Sequence, residues 1–263
     1  MGLLLALDVG NTNMVAGVYS GDRMVASWRL HTDRQRMADE YGVMIRSLLR
    51  DEGFAQSDIE AVAISNVVPA LRNVLDELCT RHLKAPVLRV GAHLDLGLEL
   101  RIDHPNELGQ DLIAAAVAAK ARWQPPLLVI DFGTATTISA IDHAGDFVGA
   151  IIAPGFIIST EAIYQRAPHL PRIPFTVPDR IVGTNTLHAM QSGLLVGHAC
   201  LVDGLVGRMQ AEVKGSATVV ATGGLAETVA RACQSIQFIE PWLVLEGIRL
   251  VYERNRVKAE RRG

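Results

Sequence analysis

The sequence predicts an α/β protein built from two duplicated domains with mixed sheets. The first observation is an internal repeat. The stretches "LLALDVGNTN" from Leu4 and "LVIDFGTATT" from Leu128 both run from apolar residues through Asp, one apolar residue and Gly into a Thr-containing turn. The second is that each stretch is followed by the same order of patterns, three strands and then strand–helix units. The third is length, because 263 residues suffice for two ordinary domains.

The first domain is predicted to span residues 1–122. Its opening strand leads into a turn from Gly10 to Asn13. Two further alternating strands, a helix with apolar residues on one face, and a helix that begins with Pro follow. The predicted elements are strands at 3–8, 14–20, 23–30, 61–65 and 86–90, and helices at 38–52, 69–83 and 112–121.

The second domain is predicted to span residues 123–263. The segment "ARWQPP", around residues 120–126, interrupts the pattern and marks the boundary. After it the order of patterns repeats, with a turn from Gly133 to Thr136 and a later Gly-Gly turn. The predicted elements are strands at 127–131, 137–142, 147–152 and 217–222, and a helix at 225–233.

The composition excludes several classes of function. A formal net charge of −3 gives no indication of a nucleic-acid or anionic-membrane partner. Cys79, Cys200 and Cys233 form no C-x-x-C pair, which favours reduced thiols in a cytoplasmic protein. The apolar stretch "SGLLVGHACLVDGLVG" contains His198 and Asp203, so a buried helix is predicted there and no membrane span.

The repeated turns have a physical interpretation as phosphate sites. Glycine and small residues let backbone N–H groups approach phosphate oxygens, and Thr adds a hydroxyl donor. An Asp at the strand end can hold a cation or its water shell beside those phosphates. A single D-x-G-[NT]-T is a weak signal, because it more often marks only a strand that ends in Asp before a Gly turn. The duplication favours two turns that grip the phosphates of one nucleotide.

The motifs resemble those of the actin-like ATPase superfamily, which includes acetate and sugar kinases, and more narrowly those of type III pantothenate kinases. "DVGNTN" and "DFGTATT" resemble the two phosphate motifs of that family. "GAIIAPG" resembles a Gly-Gly-x-Ile-x-Pro-Gly segment with Ala150 for the second Gly, and "RAPHLP", "VGTNT" and "TGG" match further elements in family order. The resemblance covers nearly the whole chain and implies two ribonuclease H-like domains.

The resemblance implies a nucleotide and cation site. Asp8 is expected to hold Mg²⁺ through water, and Asp131 a monovalent cation, K⁺ or NH₄⁺. The expected ATP-binding residues are Asp8, Val9, Gly10, Asn11, Thr12, Asn13, Gly133, Thr134, Gly223 and Gly224.

The resemblance also implies a catalytic base, Asp111. The family motif Asn-Pro-x-x-x-Gly-x-Asp-Arg appears here as "HPNELGQDL", with His104 for Asn and Leu112 for Arg. An alternative for Asp111 is an acid that only interacts with the dipole of the helix it begins. The expected substrate-binding residues are Gly109, Gln110, Asp111, Leu112, Arg166 and Thr186.

Leu112 leaves three alternatives for recognition of the substrate carboxylate. Arg166 replaces the missing cation, or the carboxylate is held weakly and KM is raised, or Leu112 faces the core while backbone N–H groups at the helix start hold the acid. We expect pantothenate to remain the substrate, with a raised KM.

The glycines of the segment 187–209 predict an assembly. Gly193, Gly197, Gly204 and Gly207 lie along one helical segment, and internal Gly costs about 1 kcal/mol against Ala. Close helix–helix approach would offset this cost, either within the chain or between chains. The resemblance implies a homodimer in which Thr186 of one subunit reaches the pantothenate of the other.

The expected function is ATP-dependent phosphorylation of pantothenate to 4'-phosphopantothenate, the first step of coenzyme A biosynthesis. Two alternatives stay open at this point. One is a regulatory or accessory protein on the same scaffold without catalysis. The other is a kinase for a different small hydroxy acid, because one fold hosts many substrates.

Overall fold

Two five-stranded mixed sheets form the framework of the structure, a computed structural model that describes residues 2–260. The strands are β1 (Leu3–Val9), β2 (Asn13–Ser20), β3 (Arg23–His31), β4 (Ile59–Asn66), β5 (Val87–Arg89), β6 (Leu127–Phe132), β7 (Ala135–Ile141), β8 (Phe147–Pro154), β9 (Thr218–Thr222) and β10 (Phe238–Ile239). The first sheet has the order β3-β2-β1-β4-β5 and the second β8-β7-β6-β9-β10. In both, three antiparallel strands are extended by two parallel ones. The predicted duplication is confirmed at the level of sheet topology.

Helices connect and cover these strands. They are α1 (Ala38–Asp51), α2 (Arg72–Glu77), α3 (Gln110–Arg122), α4 (Phe156–Arg166), α5 (Thr186–Gln191), α6 (Gly197–Glu212), α7 (Ala226–Ala230) and α8 (Leu243–Glu260). The single helix predicted at 69–83 is instead three consecutive pieces, a 3₁₀ turn at Pro69–Leu71, then α2, then π-helical Leu78–Leu83.

The predicted strands agree with the structure except at a few ends. All strands predicted from the alternating pattern are present within about three residues of their expected bounds. The helix predicted at 225–233 ends at Ala230, and β10 was not predicted. The reason is that β10 has only two residues, both exposed, so it carries no alternating burial pattern.

The residues of the chain group into two compact units by mutual contact. One unit contains residues 1–98, 103–118 and 243–263, and the other contains residues 99–102 and 119–242. These units differ from the predicted domains 1–122 and 123–263 chiefly because α8 contacts the first sheet. Residue 1 and residues 261–263, the outer ends of the predicted domains, lie outside the described residues. As a boundary between independently folding domains, residue 122 stays a prediction.

Within the first unit, the two faces of the sheet pack against different helices. Leu5 and Leu7 belong to a buried cluster with α1 and the 69–83 segments. On the opposite face α8 contacts β1, β2 and β4, and an added Cβ at Gly17 would crowd Leu245. An added Cβ at Gly247 would overlap the backbone of Ala114, so α8 also approaches α3 closely. This arrangement fixes α3, whose residues 112–119 are all buried, beside the first sheet.

Within the second unit, the inward face of the sheet packs against α6. Leu128, Ile130 and Phe132 form a buried cluster with Leu195 and Val202. The continuous helical segment Thr186–Glu212, which includes α5 and α6, is long and apolar enough by composition to cross a membrane, and 44% of its most apolar window is buried. Since its inward side belongs to the core cluster, we interpret the segment as a core helix.

Candidate active site

The first of the two predicted phosphate turns joins β1 to β2 through Gly10, Asn11 and Thr12. The Gly10 N–H donates to the Asn13 carbonyl at 3.0 Å and closes the turn. Thr32, just after the end of β3, binds this turn through two hydrogen bonds. Its hydroxyl donates to the Gly10 carbonyl at 2.8 Å, and its N–H donates to the Thr12 carbonyl at 2.9 Å. Hydrogen bonds therefore hold the backbone of Gly10 and Thr12, while Asn11 and Thr12 stay exposed and accessible to a ligand.

Asp8 lies one residue before the end of β1, on the face that carries α8. It is paired across the sheet with Ser65 of β4, whose hydroxyl donates to Asp8 Oδ1 at 3.1 Å. A single oriented carboxylate beside a glycine turn suits Mg²⁺, which usually keeps several waters and takes one or two carboxylates with substrate phosphates. Between residues 2 and 260 no group of three or more His, Cys, Asp or Glu side chains offers a complete metal site.

The start of α3 is attached to the same end of the first sheet. Gln110 Oε1 accepts a hydrogen bond of 2.8 Å from the backbone N–H of Asn66, the last residue of β4. Asn66 is the register partner of Val9, and the next N–H, that of Val67, donates to the Val9 carbonyl at 3.1 Å. Gln110, one of the predicted substrate residues, thus ties the helix start to the strands that carry Asp8 and the first turn.

Asp111 follows Gln110 in the first turn of α3. Its Oδ1 accepts a hydrogen bond of 2.8 Å from the Leu112 N–H. Burial raises the pKa of Asp111, and the hydrogen bond from Leu112 opposes that rise. A carboxylate that is hard to ionise attracts a proton more strongly than an exposed Asp, which is the property a general base needs. This environment distinguishes Asp111 from an exposed acid that only interacts with the helix dipole.

The second phosphate turn joins β6 to β7 through Gly133 and Thr134 only. The Gly133 N–H donates to the Ala135 carbonyl at 3.1 Å. Gly155, just after the end of β8, lies in close backbone contact with this turn, since an added Cβ there would overlap the Thr134 carbonyl. Gly223 has a φ of +95°, and a Cβ there would overlap Asp131 and the Phe132 backbone. Gly223 is therefore in direct contact with the end of β6, which Gly133 and Thr134 follow.

Asp131 has two buried hydroxyls as its cross-strand neighbours. Thr137 of β7 and Thr222 of β9 are its register partners, so the three side chains lie on one face of the sheet. The Oγ1 atoms of Thr137 and Thr222 are buried and have no hydrogen-bond partner among the described residues. Buried polar atoms without a partner are rare and indicate a missing water or ion. Two hydroxyls beside a carboxylate fit a cation with oxygen ligands.

The remaining predicted site residues lie elsewhere within their units. Leu112 is only 8% exposed and packs in the core with the rest of α3. Arg166 and Thr186 are exposed, at the end of α4 and the start of α5. Leu112 therefore has the burial that the core-facing alternative requires.

Three polar residues at these turns were missed by the sequence reasoning. Thr32 and Asn66 bind turn or strand-end backbone, as described above. Arg34 Nη2 donates to Asn11 Oδ1 at 2.9 Å and brings a positive charge to the first turn. Only Asn66 had a usable signal, because "AVAISNVV" and "ATVVATGG" match in rhythm and align Asn66 with Thr222.

Comparison with known proteins decides the family. The family model described as type III pantothenate kinase matches residues 4–208. A type III pantothenate kinase from Exiguobacterium sibiricum is 44% identical over 254 residues, which cover 97% of this chain and 100% of the relative. The chain belongs to the type III pantothenate kinase family. The predicted family assignment is confirmed.

Solved structures of other proteins agree with the predicted fold. Component A of (R)-2-hydroxyglutaryl-CoA dehydratase from Acidaminococcus fermentans has a TM-score of 0.60 at 15% identity, with 98% of this chain and 100% of that chain covered. The ROK hexokinase from Thermus thermophilus has a TM-score of 0.52 at 15% identity, with 98% and 99% covered. At this identity the likeness concerns the fold alone, and it confirms the predicted fold class.

Proposed function

We propose that this protein transfers the γ-phosphate of ATP to the primary hydroxyl of pantothenate and forms 4'-phosphopantothenate and ADP, the first step of coenzyme A biosynthesis. The observation that carries the proposal is membership of the type III pantothenate kinase family over nearly the full chain. The half-buried carboxylate of Asp111 at the start of α3 supports it, because phosphoryl transfer to an alcohol needs a group that orients the hydroxyl and accepts its proton.

The roles follow from the local chemistry of each unit. In the first unit Asp111 accepts the hydroxyl proton, Gly109 to Leu112 contribute the helix start to pantothenate binding, and Asp8 to Asn13 bind ATP phosphates with Mg²⁺ held by Asp8 through water. In the second unit Gly133 and Thr134 contribute N–H groups to phosphate, and Gly223 and Gly224 accommodate the adenosine. The Mg²⁺ ion offsets charge on the phosphates when bound.

A monovalent cation, K⁺ or NH₄⁺, is part of the proposal. Asp131 supplies the charged ligand, and the hydroxyls of Thr137 and Thr222 supply neutral oxygens. Neither hydroxyl has a hydrogen-bond partner among the described residues, which supports this assignment, since both oxygens could then coordinate the cation. When bound, the cation offsets part of the negative charge of the triphosphate.

The proposed assembly is a cytoplasmic homodimer in which Thr186 contributes to the partner's pantothenate site. Added Cβ atoms at Gly193, Gly197, Gly204 and Gly207 would meet nothing within 4 Å in the described part of the chain. Packing within the chain therefore does not explain these glycines. Large apolar side chains of the same unit are also exposed, including Ile152 at 73% and Val182 at 78%. A second copy would cover surface of this kind.

Mass measurement by light scattering at micromolar concentration tests the assembly. We expect a dimer for the unaltered protein and a shift toward monomer for Val182→Glu. The matched control is Val43→Glu, on the exposed side of α1 in the first unit, which we expect to remain dimeric. A fully active monomer would contradict the proposal.

An assay of ATP consumption tests the reaction. Purified protein is supplied with pantothenate or with related small hydroxy acids, with potassium present and absent. We expect turnover with pantothenate and loss of turnover in Asp111→Asn. Turnover only with another acceptor would support a different kinase, and no turnover with any acceptor would support an accessory protein.

A further inference from the structure

His198 is a buried histidine that the proposed reaction does not use. It is the second residue of α6 and only 7% exposed. It lies on a different side of this helical segment from Gly193, Gly197 and Gly204, since successive helix positions differ by about 100°. The side chain points into the core of the second unit, toward the second sheet.

The partner of His198 is Thr136. The two side chains meet with 3.0 Å between His198 Nε2 and Thr136 Oγ1. Thr136 is 1% exposed and is the register partner of Phe132. The Phe132–Thr136 pair closes the turn formed by Gly133 and Thr134. Thr136 Oγ1 would be buried without a partner if His198 lost its ring nitrogen. Burial lowers the pKa of His198, which keeps the imidazole neutral at neutral pH and able to donate at one nitrogen and accept at the other.

The ring of His198 also packs against two aromatic rings, those of Phe132 and Phe156, which flank the turn. Its centroid is 6.2 Å from that of Phe132 and 5.9 Å from that of Phe156. Phe132 directly precedes Gly133, and Phe156 directly follows Gly155, the residue that presses on the Thr134 carbonyl. The His198 side chain thus contacts β6, β7 and the start of α4, which are the two strands that the turn joins and the segment that follows Gly155.

We propose that His198 is a positioning residue for the second phosphate turn. Its hydrogen bond to Thr136 and its ring contacts with Phe132 and Phe156 fix the backbone of Gly133 and Thr134 in the geometry that binds a nucleotide phosphate. This inference rests on the proposed nucleotide site at that turn. His198 itself does not touch ATP and takes no part in proton transfer.

The test is the affinity for a non-hydrolysable ATP analogue, measured by calorimetry with potassium and Mg²⁺ present. We expect His198→Leu and Thr136→Val each to weaken binding about five- to tenfold, the factor expected for loss of one buried hydrogen bond. His198→Gln keeps a donor and an acceptor on the side chain and should stay within about twofold of the unaltered protein. The double variant combines His198→Leu with Thr136→Val. Its affinity for the ATP analogue should equal that of the single variant with the larger loss, because both changes remove the same interaction.

The KM values separate positioning from a general loss of structure. We expect the KM for ATP to rise in His198→Leu while the KM for pantothenate is unchanged. The matched control is His143→Gln, an exposed histidine in the β7–β8 turn, which should leave both values unchanged. Equal ATP affinity in His198→Leu and His198→Gln, or additive losses in the double variant, would overturn the inference. Analogue binding needs no acceptor, so it judges the inference even if pantothenate proves not to be the substrate.

Discussion

The two phosphate turns share a sequence pattern and a strand order but are supported in different ways. The first has three residues between its strands, and Thr32 just after β3 braces it through backbone carbonyls. The second has two residues, and it is supported through a side chain, Thr136, by a histidine on a helix. At the position equivalent to Thr136 in the closing pair, the first turn has Met14, which is fully buried and apolar.

The surroundings of the two strand-end aspartates differ in the same way. Asp8 accepts a hydrogen bond from its neighbour Ser65, whereas Asp131 stands between two hydroxyls that lack a partner among the described residues. The first unit also attaches α3 and Asp111 to the end of its sheet. Duplication has thus preserved the strand framework, and we assign proton transfer and binding of the monovalent cation to different copies of it.

The largest expected effect is that of Asp111→Asn, which tests whether proton transfer belongs to the first unit alone. Turnover should fall by roughly 10²–10⁴, the usual contribution of general-base catalysis, with ATP affinity nearly unchanged. Steady-state kinetics with pantothenate and calorimetry with an ATP analogue provide the two measurements. Near-normal turnover would remove Asp111 from the mechanism.

The raised pKa of Asp111 predicts a pH dependence of activity and a second effect of Asp111→Asn, on thermal stability. A general base must be ionised, so kcat/KM should rise with pH as pH passes through the raised pKa. In the folded state ionisation is disfavoured, so the contribution of this group to stability is present at low pH and is lost as pH rises through its folded pKa. Asp111→Asn should therefore be more stable to heat than the unaltered protein at neutral pH, and a lower melting temperature would contradict this.

The next largest effect is expected on potassium stimulation and ATP binding, for which we compare Asp131→Ala with Asp8→Ala. Loss of Asp131 should abolish stimulation by potassium and weaken ATP binding about tenfold or more, as for loss of a charge-assisted interaction. Asp8→Ala should weaken binding of Mg²⁺ and ATP while stimulation by potassium remains. Rates are measured in sodium-only and in potassium buffers. Equal rates of the unaltered protein in both buffers would contradict the cation assignment.

The sequence predicted the framework well because alternation and turn residues are local signals. Both sheets, and the turns at Gly10 and Gly133, follow from patterns within ten or so residues. The supports of the turns are not local. His198 binds Thr136 across 62 positions and Gln110 binds Asn66 across 44. In the sequence His198 only interrupts an apolar helix, so nothing marks it as the partner of a strand residue.

The C-terminal helix illustrates the same limit. The repeat suggested that each half of the chain builds its own domain. Yet α8, at the end of the second half, packs on the first sheet and on α3 through close contacts at Gly17 and Gly247. Glycine in a strand or helix indicates that some backbone or side chain approaches closely, but it does not identify the element that approaches.

A smaller effect is expected from Thr222→Val and Ser65→Ala, which occupy matched positions beside Asp131 and Asp8. In potassium-free buffer Thr222→Val should stabilise the protein by about 1 kcal/mol, because it removes a buried hydroxyl without a partner. Ser65→Ala should destabilise it by a similar amount, because the hydroxyl is bound to Asp8. Potassium should raise the melting temperature of the unaltered protein more than that of Thr222→Val. Destabilisation by both variants in potassium-free buffer would show that the two aspartates have equivalent surroundings.

The smallest effect on activity is expected at Leu112, next to the proposed base. Because Leu112 is only 8% exposed, we expect the acid to be held by backbone N–H groups at the start of α3, with Leu112 as a packing residue. Leu112→Arg should then lower the melting temperature, since it brings a charge to a buried position, and change the KM for pantothenate by less than about twofold. Leu112→Met is the matched control and should leave stability nearly unchanged. A several-fold drop in KM for Leu112→Arg would instead mean that the carboxylate lacks a cation in this protein, and a sharp rise for Arg166→Ala would mean that Arg166 supplies it.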